Sequence, residues 1–271
     1  MKNLLTRSIT GLLYGVFVLG CILGGKISFA ILGLVFTAIG LHEFFTIHQN
    51  NGLQPLRKLG VACGMTLFLS FFFYAGNLLE PKWLILFIIL FLTFLVIEIY
   101  RDKPNPFGNI AVTLLGLAYI SLPLSLLSFL AFPQLDGEYT PYLLIIVFVL
   151  IWAFDTGAYM SGMALGRHKL FPRLSPKKTW EGVIGGAILT VLASLVISHF
   201  YQAINTTGMV YAALLTAIGA TFGDLAESML KRSVDIKDSG KLLPGHGGLL
   251  DRIDSLLFVG PMIYVFLSFY R

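Results

Sequence analysis

Residues 142–164 read YLLIIVFVLIWAFDTGAYMSGMA. A helix needs about 20 predominantly apolar residues to cross the hydrocarbon core of a bilayer. This run supplies them and carries a single carboxyl group, Asp155. Outward from it, further apolar runs cover residues 8–24, 27–47, 60–79, 83–100, 110–132, 183–201, 209–230 and 255–270. Of the 271 residues, 56% are hydrophobic and only 12% charged, against roughly 25% charged in a soluble domain. That balance excludes a soluble enzyme, a disordered chain and a disulfide scaffold. The expected fold class is an all-α polytopic membrane protein with about nine transmembrane helices. The first two runs, joined only by Gly24, Gly25 and Lys26, are also compatible with a re-entrant hairpin. Cys21 and Cys63 sit inside apolar runs and read as small core residues, since no CxxC spacing accompanies them.

Charge orients the spans. With the N-terminus inside, only Lys26, Lys82 and Arg271 of the 19 lysines and arginines fall on outer segments. The positive-inside rule therefore expects a cytoplasmic N-terminus. The net charge of +5 is then topology and phosphate binding rather than nucleic-acid recognition. Polarity within the spans is uneven. Residues 1–105 read as membrane scaffold, with His42, Glu43 and Glu98 as polar end residues. Residues 106–182 are middle helices and a basic cytoplasmic loop, and 183–271 are C-terminal helices that carry the chemistry. His42, Glu43 and His48 superficially suggest a zinc protease, but the second histidine falls at i+6, where i+4 is required. No nucleotide-binding glycine loop and no nucleophile elbow is present.

Asp224, Glu227, Ser228 and Lys231 fall at i, i+3, i+4 and i+7, one face of a helix. Asp224 lies six residues before the end of its apolar run at Leu230, roughly 9 Å inward at 1.5 Å per residue. An isolated carboxylate there is costly and faces a partner or a watery cavity. One structural reading is an ion pair with Lys231 or another cation. Asp251, Asp254 and Ser255 repeat the pattern at the start of the last run. Capping explains one acid there but not two facing a second acidic helix. A magnesium ion on Asp224 and Asp251, with Asp254 and Glu227 nearby, relieves the repulsion. Between these runs lie Lys231, Arg232, Lys237 and Lys241, then Pro244, Gly245, His246, Gly247 and Gly248. Flexible backbone and cations beside carboxylates suit a nucleoside triphosphate. A basic loop on anionic lipid explains the cations, but not Asp235, Asp238, Asp251 and Asp254 among them. Upstream, Ser175, Lys177 and Lys178 are candidates to grip a phosphate, and Asp155 is expected to face the same cavity.

The stretch from Ser228 to Asp254 resembles the signature of phosphatidate cytidylyltransferases, also called CDP-diacylglycerol synthases. The matching positions are Ser228, Leu230, Lys231, Arg232, Lys237, Asp238, Gly240, Leu243, Pro244, His246, Gly247, Gly248, Leu249, Asp251, Arg252, Ile253 and Asp254. Phe154–Tyr159 and Ser175–Lys178 look like family features too. The resemblance implies transfer of CMP from CTP to phosphatidic acid, giving CDP-diacylglycerol and pyrophosphate. It implies a magnesium requirement, Asp224 and Asp251 as metal ligands shared with a second, monovalent cation, and a homodimer in the bilayer. Asp254 joins the expected metal set. Lys231, Arg232, Lys237, Asp238 and His246 are the expected catalytic residues, and Ser175, Lys177, Lys178, Lys241 and Arg252 the expected substrate contacts. The expected location is a bacterial inner membrane, with the site facing the cytoplasm. Two alternatives remain: a CTP-dependent polyisoprenol kinase, and an ion-coupled transporter using Asp155, Asp224 and Glu227. The transporter reading leaves the Pro-Gly-His-Gly-Gly loop unexplained, and no inverted repeat is evident.

Overall fold

A computed structural model describes residues 2–134, 136–236, 239–240 and 247–270. The chain is an all-α polytopic membrane protein. Its helices are α1 (Lys2–Leu23), α2 (Lys26–Asn50), α3 (Arg57–Ala75), α4 (Leu86–Arg101), α5 (Pro106–Gly116), α6 (Leu122–Ala131), α7 (Tyr142–Leu165), α8 (Trp180–Phe200), α9 (Thr206–Ser233) and α10 (Leu250–Tyr270). Among the described residues, eight helical segments are long and apolar enough to cross a membrane, and Thr10–Leu23 is a shorter apolar helix. Every apolar run of the sequence corresponds to one helical segment. Two are not plain α-helices. A 3₁₀ turn, Pro81–Ile85, leads into α4. A π segment, Leu117–Ser121, joins α5 to α6. Pro123 follows it and has no N–H to return to the preceding turn, which is where helices distort.

The chain divides into two compact units. The first is Met1–Pro141 with Ile236–Asp251, and the second is Tyr142–Asp235 with Arg252–Arg271. In the first, an aromatic cluster fills the space between α2, α3 and the segment after α6. Phe72 lies 5.3 Å from Phe132, and Phe132 lies 5.6 Å from Tyr139, between ring centres. Tyr139 donates its hydroxyl to the Ile22 carbonyl at 2.6 Å; burial pushes this phenol up to about 12. A polar network closes the other end. Glu98 accepts from Arg101 at 2.6 Å and from Asn109 at 2.7 Å. Asn109 accepts from the Gln54 N–H, and Thr113 from the Leu56 N–H. These buried side chains satisfy the backbone between α2 and α3, which membrane burial makes obligatory.

In the second unit α8 packs on α7 and α9, and α9 meets α10 through small residues. A Cβ at Gly223 would fall 2.5 Å from the Asp254 carbonyl oxygen, so the two backbones touch there, as small residues permit in membranes. The stretch between α7 and α8 differs from the loop expected. It folds as an antiparallel hairpin of β1 (Lys169–Phe171) and β2 (Ser175–Thr179), with Lys169 opposite Thr179 and Phe171 opposite Ser175. Glu181 anchors it. Its carboxylate accepts the Arg167 and His168 N–H groups at 3.1 and 3.2 Å and lies 2.6 Å from His168 Nδ1. Thr179 caps α8 by accepting from the Gly182 N–H, which ends the strand and starts the helix.

Candidate active site

In the second unit, four elements bring charge together. Asp155 comes from α7, Asp224 from α9, Asp254 from α10 and Lys178 from β2. Lys178 Nζ lies 2.7 Å from Asp224 Oδ2, and the Ser228 hydroxyl is 3.4 Å from Asp224 Oδ1. Asp155 feels the charges of Asp224, Lys178 and Arg252, and Asp254 those of Asp224, Asp155 and Lys178. The Gly223 contact sets this up, because it fixes α9 against α10 one residue from Asp224 and at Asp254 itself. Strand alternation decides which lysine takes part. Successive residues of a strand point to opposite faces, so Lys178 turns inward while Lys177 is exposed. Ser175, on the same face as Lys177, is half-buried. Asp224 is therefore ion-paired, with Lys178 rather than Lys231. Lys231 pairs instead with Glu227, one turn away on α9. Arg232 is exposed, and its Nε points at the Leu174 carbonyl at 3.5 Å.

Three carboxylates around one lysine make a hard-oxygen donor set, the chemistry that suits magnesium. Among the described residues, no group of three or more His, Cys, Asp or Glu side chains is placed to hold a metal ion. Magnesium does not need one, because it keeps waters and phosphate oxygens around one or two carboxylates.

In the first unit, Glu43 of α2 grips the start of α10. Its Oε1 accepts the Leu249 N–H at 3.0 Å and its Oε2 the Leu250 N–H at 2.9 Å. Both N–H groups lack helical partners, and an anion at that end also matches the helix dipole. The Ser239 hydroxyl bridges to the same carboxylate at 3.3 Å. Asp251 Oδ2 takes the Ser239 N–H, the Ser239 hydroxyl and the Gly248 N–H at 3.0, 2.9 and 2.8 Å. A Cβ at Gly240 or Gly248 would come within 2.5 Å of a Glu43 oxygen, so only glycine lets the backbone approach this closely.

A cytidylyltransferase family model matches residues 5–270. A phosphatidate cytidylyltransferase of Bacillus subtilis is 33% identical over 282 residues, 100% of both chains. The chain belongs to the cytidylyltransferase family. The same name belongs to a Brucella suis protein, 35% identical over 98% of this chain and 94% of its own. A Haemophilus influenzae phosphatidate cytidylyltransferase is 47% identical over 139 residues, 49% of this chain and 48% of its own, so that match spans about half of the relative.

In this cytidylyltransferase the sequence-derived residues separate. Asp224, Asp254, Lys178 and Arg252 converge, together with Asp155. Asp251 Oδ2 holds the backbone of the signature at Ser239 and Gly248, while Asp254 meets the charges of Asp224, Asp155 and Lys178. Lys237, Asp238, Lys241 and His246 lie outside the described residues. Glu43, which sequence reasoning placed in the scaffold, holds the backbone that leads into α10. Its signal was an acid inside a span, expensive without partners. Its partners are about 200 residues away in the chain, where no local spacing reveals them.

Proposed function

We propose that the chain transfers CMP from CTP to phosphatidic acid, forming CDP-diacylglycerol and pyrophosphate. The names of its full-length relatives support the reaction. The observation that carries it is the cluster of Asp155, Asp224 and Asp254 around Lys178. The nucleophile is a phosphate oxygen of the lipid, largely ionised near pH 7 because the second phosphate pKa is about 6. It forms a bond to the α-phosphorus of CTP while the bond to the pyrophosphate oxygen breaks. Neither a protein nucleophile nor a strong base is required, so catalysis is positioning plus neutralisation of charge.

Asp224, Asp251 and Asp254 would hold magnesium, with Asp155 as an added neighbour, and the ion would offset the charge of the triphosphate. Asp224 and Asp251 would also be the residues to hold a second, monovalent cation. Lys231, Arg232, Lys237 and Lys241 neutralise the leaving pyrophosphate. Lys177, Lys178, Ser175 and Arg252 hold the lipid phosphate. His246 positions a phosphate oxygen, and Asp238 orients a lysine. Lys178 exchanges its Asp224 partner for phosphate when substrate and cation arrive. A homodimer in a bacterial inner membrane, with the site open to the cytoplasm, admits CTP from water and phosphatidate from the bilayer.

The test is incubation of the purified full-length chain with phosphatidate, magnesium and CTP labelled in its α-phosphate, followed by lipid extraction. Label in the lipid, lost with a chelator and lost in Asp224→Asn, is the expected result. Intact CTP with a folded protein overturns the proposal, and free CDP with phosphorylated polyisoprenol replaces it with the kinase reading.

A further inference from the structure

Away from every residue placed in that reaction, the first unit holds an open groove of about 930 Å³. It lies where α2 ends, α3 begins and α4 ends. Its polar wall is His42, Arg57, Lys58 and Arg101, and Val61 and Ile97 are among its apolar lining. Arg57 donates to Gln49 at 3.3 Å and to the His42 ring, 2.7 Å from Nδ1. Among the described residues, neither Arg57 nor Lys58 has a carboxylate in ion-pair range. The nearby acid Glu98 is already bound by Arg101 and Asn109. Arg57 and Lys58 also occupy the first turn of α3, which contains no acid. That is the positive end of the helix dipole, where cations are unfavourable. Positive-inside topology accounts for cations near this end of the helices. It does not account for the convergence on one groove, with a histidine, of Arg57 and Lys58, which have no carboxylate in ion-pair range among the described residues.

The groove is also amphipathic along the helix axes. Val61 is one turn inward from Arg57 on α3, and Ile97 one turn inward from Arg101 on α4. Each i, i+4 pair stacks a cation over an apolar side chain on one helix face. A ligand that matches both carries phosphate at one end and hydrocarbon at the other. Arginine and lysine beside each other are the usual partners of phosphate oxygens.

We propose that this groove binds the phosphate head group of an anionic glycerophospholipid, with its acyl chains along Val61 and Ile97. The site goes beyond the proposed reaction and does not depend on it. His42 adjoins Glu43 in the chain, so an occupant bears on the helix that holds the start of α10.

The experiment is native mass spectrometry of the full-length protein with equimolar phosphatidylglycerol and phosphatidylcholine. Wild type is expected to retain phosphatidylglycerol about tenfold over phosphatidylcholine, the scale of one or two charge-assisted contacts. The Arg57→Gln, Lys58→Gln double variant is expected to lose that preference. Lys103→Gln removes a neighbouring exposed charge outside the groove and is expected to keep it. A photoactivatable phosphatidylglycerol on wild type gives a reading that needs no variant, with cross-links expected in residues 57–61 and 97–101. Equal retention of the two lipids by wild type, an unchanged preference in the double variant, or cross-links only elsewhere overturns the proposal. Inorganic phosphate that raises the melting temperature of wild type but not of the double variant, without any lipid preference, assigns the groove to free phosphate instead.

Discussion

At the residue scale, Lys178 and Glu43 show how neighbours in sequence take different roles. Lys177 and Lys178 are chemically alike, yet only Lys178 reaches Asp224, because the strand turns alternate side chains apart. Lys178→Met is therefore expected to reduce turnover on the order of 100-fold, the scale of removing one preorganised charge partner. Lys177→Met should reduce it far less, and steady-state kinetics of the pair reads the difference. Glu43 makes two charge-assisted contacts to free helix N–H groups, each contributing about 1.5–3 kcal/mol. Glu43→Ala is expected to cost about 3 kcal/mol, seen as a lower melting temperature in detergent. Glu43→Gln, which keeps the shape and one acceptor, should recover part of the loss. Equal melting temperatures for all three proteins would refute the grip.

At the element scale, the close crossing of α9 and α10 sets the carboxylate cluster. Gly223 stands against the Asp254 carbonyl, and a larger side chain there forces the helices apart. Gly223→Val is expected to destabilise the protein by about 1–3 kcal/mol, as overpacking does. It should also cut activity more than an equally destabilising change remote from the crossing, because Asp224 and Asp254 ride on the two helices. The hairpin depends on a smaller device. Thr179 both ends β2 and caps α8, so Thr179→Ala should cost about 1 kcal/mol. That loss should appear in thermal unfolding, with a rise in KM if the displaced strand carries Lys178 away from its phosphate.

At the scale of the whole molecule, the spans follow from hydropathy, and the expected orientation follows from charge. The charge distribution predicts that cysteines placed at Lys26 and Lys82 react with an impermeant thiol reagent from outside the cell. Cysteines at Lys58 and Lys103 should react only after the membrane is opened. The reverse pattern would invert the expected topology. The exposed apolar faces of α4 and α8, such as Ile88 and Ile188, are the surfaces that lipid covers in this arrangement.

The helices were legible in the chain because eight of the helical segments are long and apolar enough to meet the bilayer's length requirement without help from their neighbours. The acids were legible as chemistry for a related reason: charge inside a span is too costly to be idle. Composition and local spacing thus determined an all-α membrane protein and directed attention to Asp224, Asp254 and the signature loop. Tertiary structure decided what spacing does not encode: that Lys178 and not Lys231 pairs with Asp224, that residues 169–179 form a hairpin, and that Glu43 of an apparently inert helix holds the start of α10. These depend on which surfaces meet across long stretches of chain, and hydrogen bonds and ion pairs form by distance in space rather than separation in sequence.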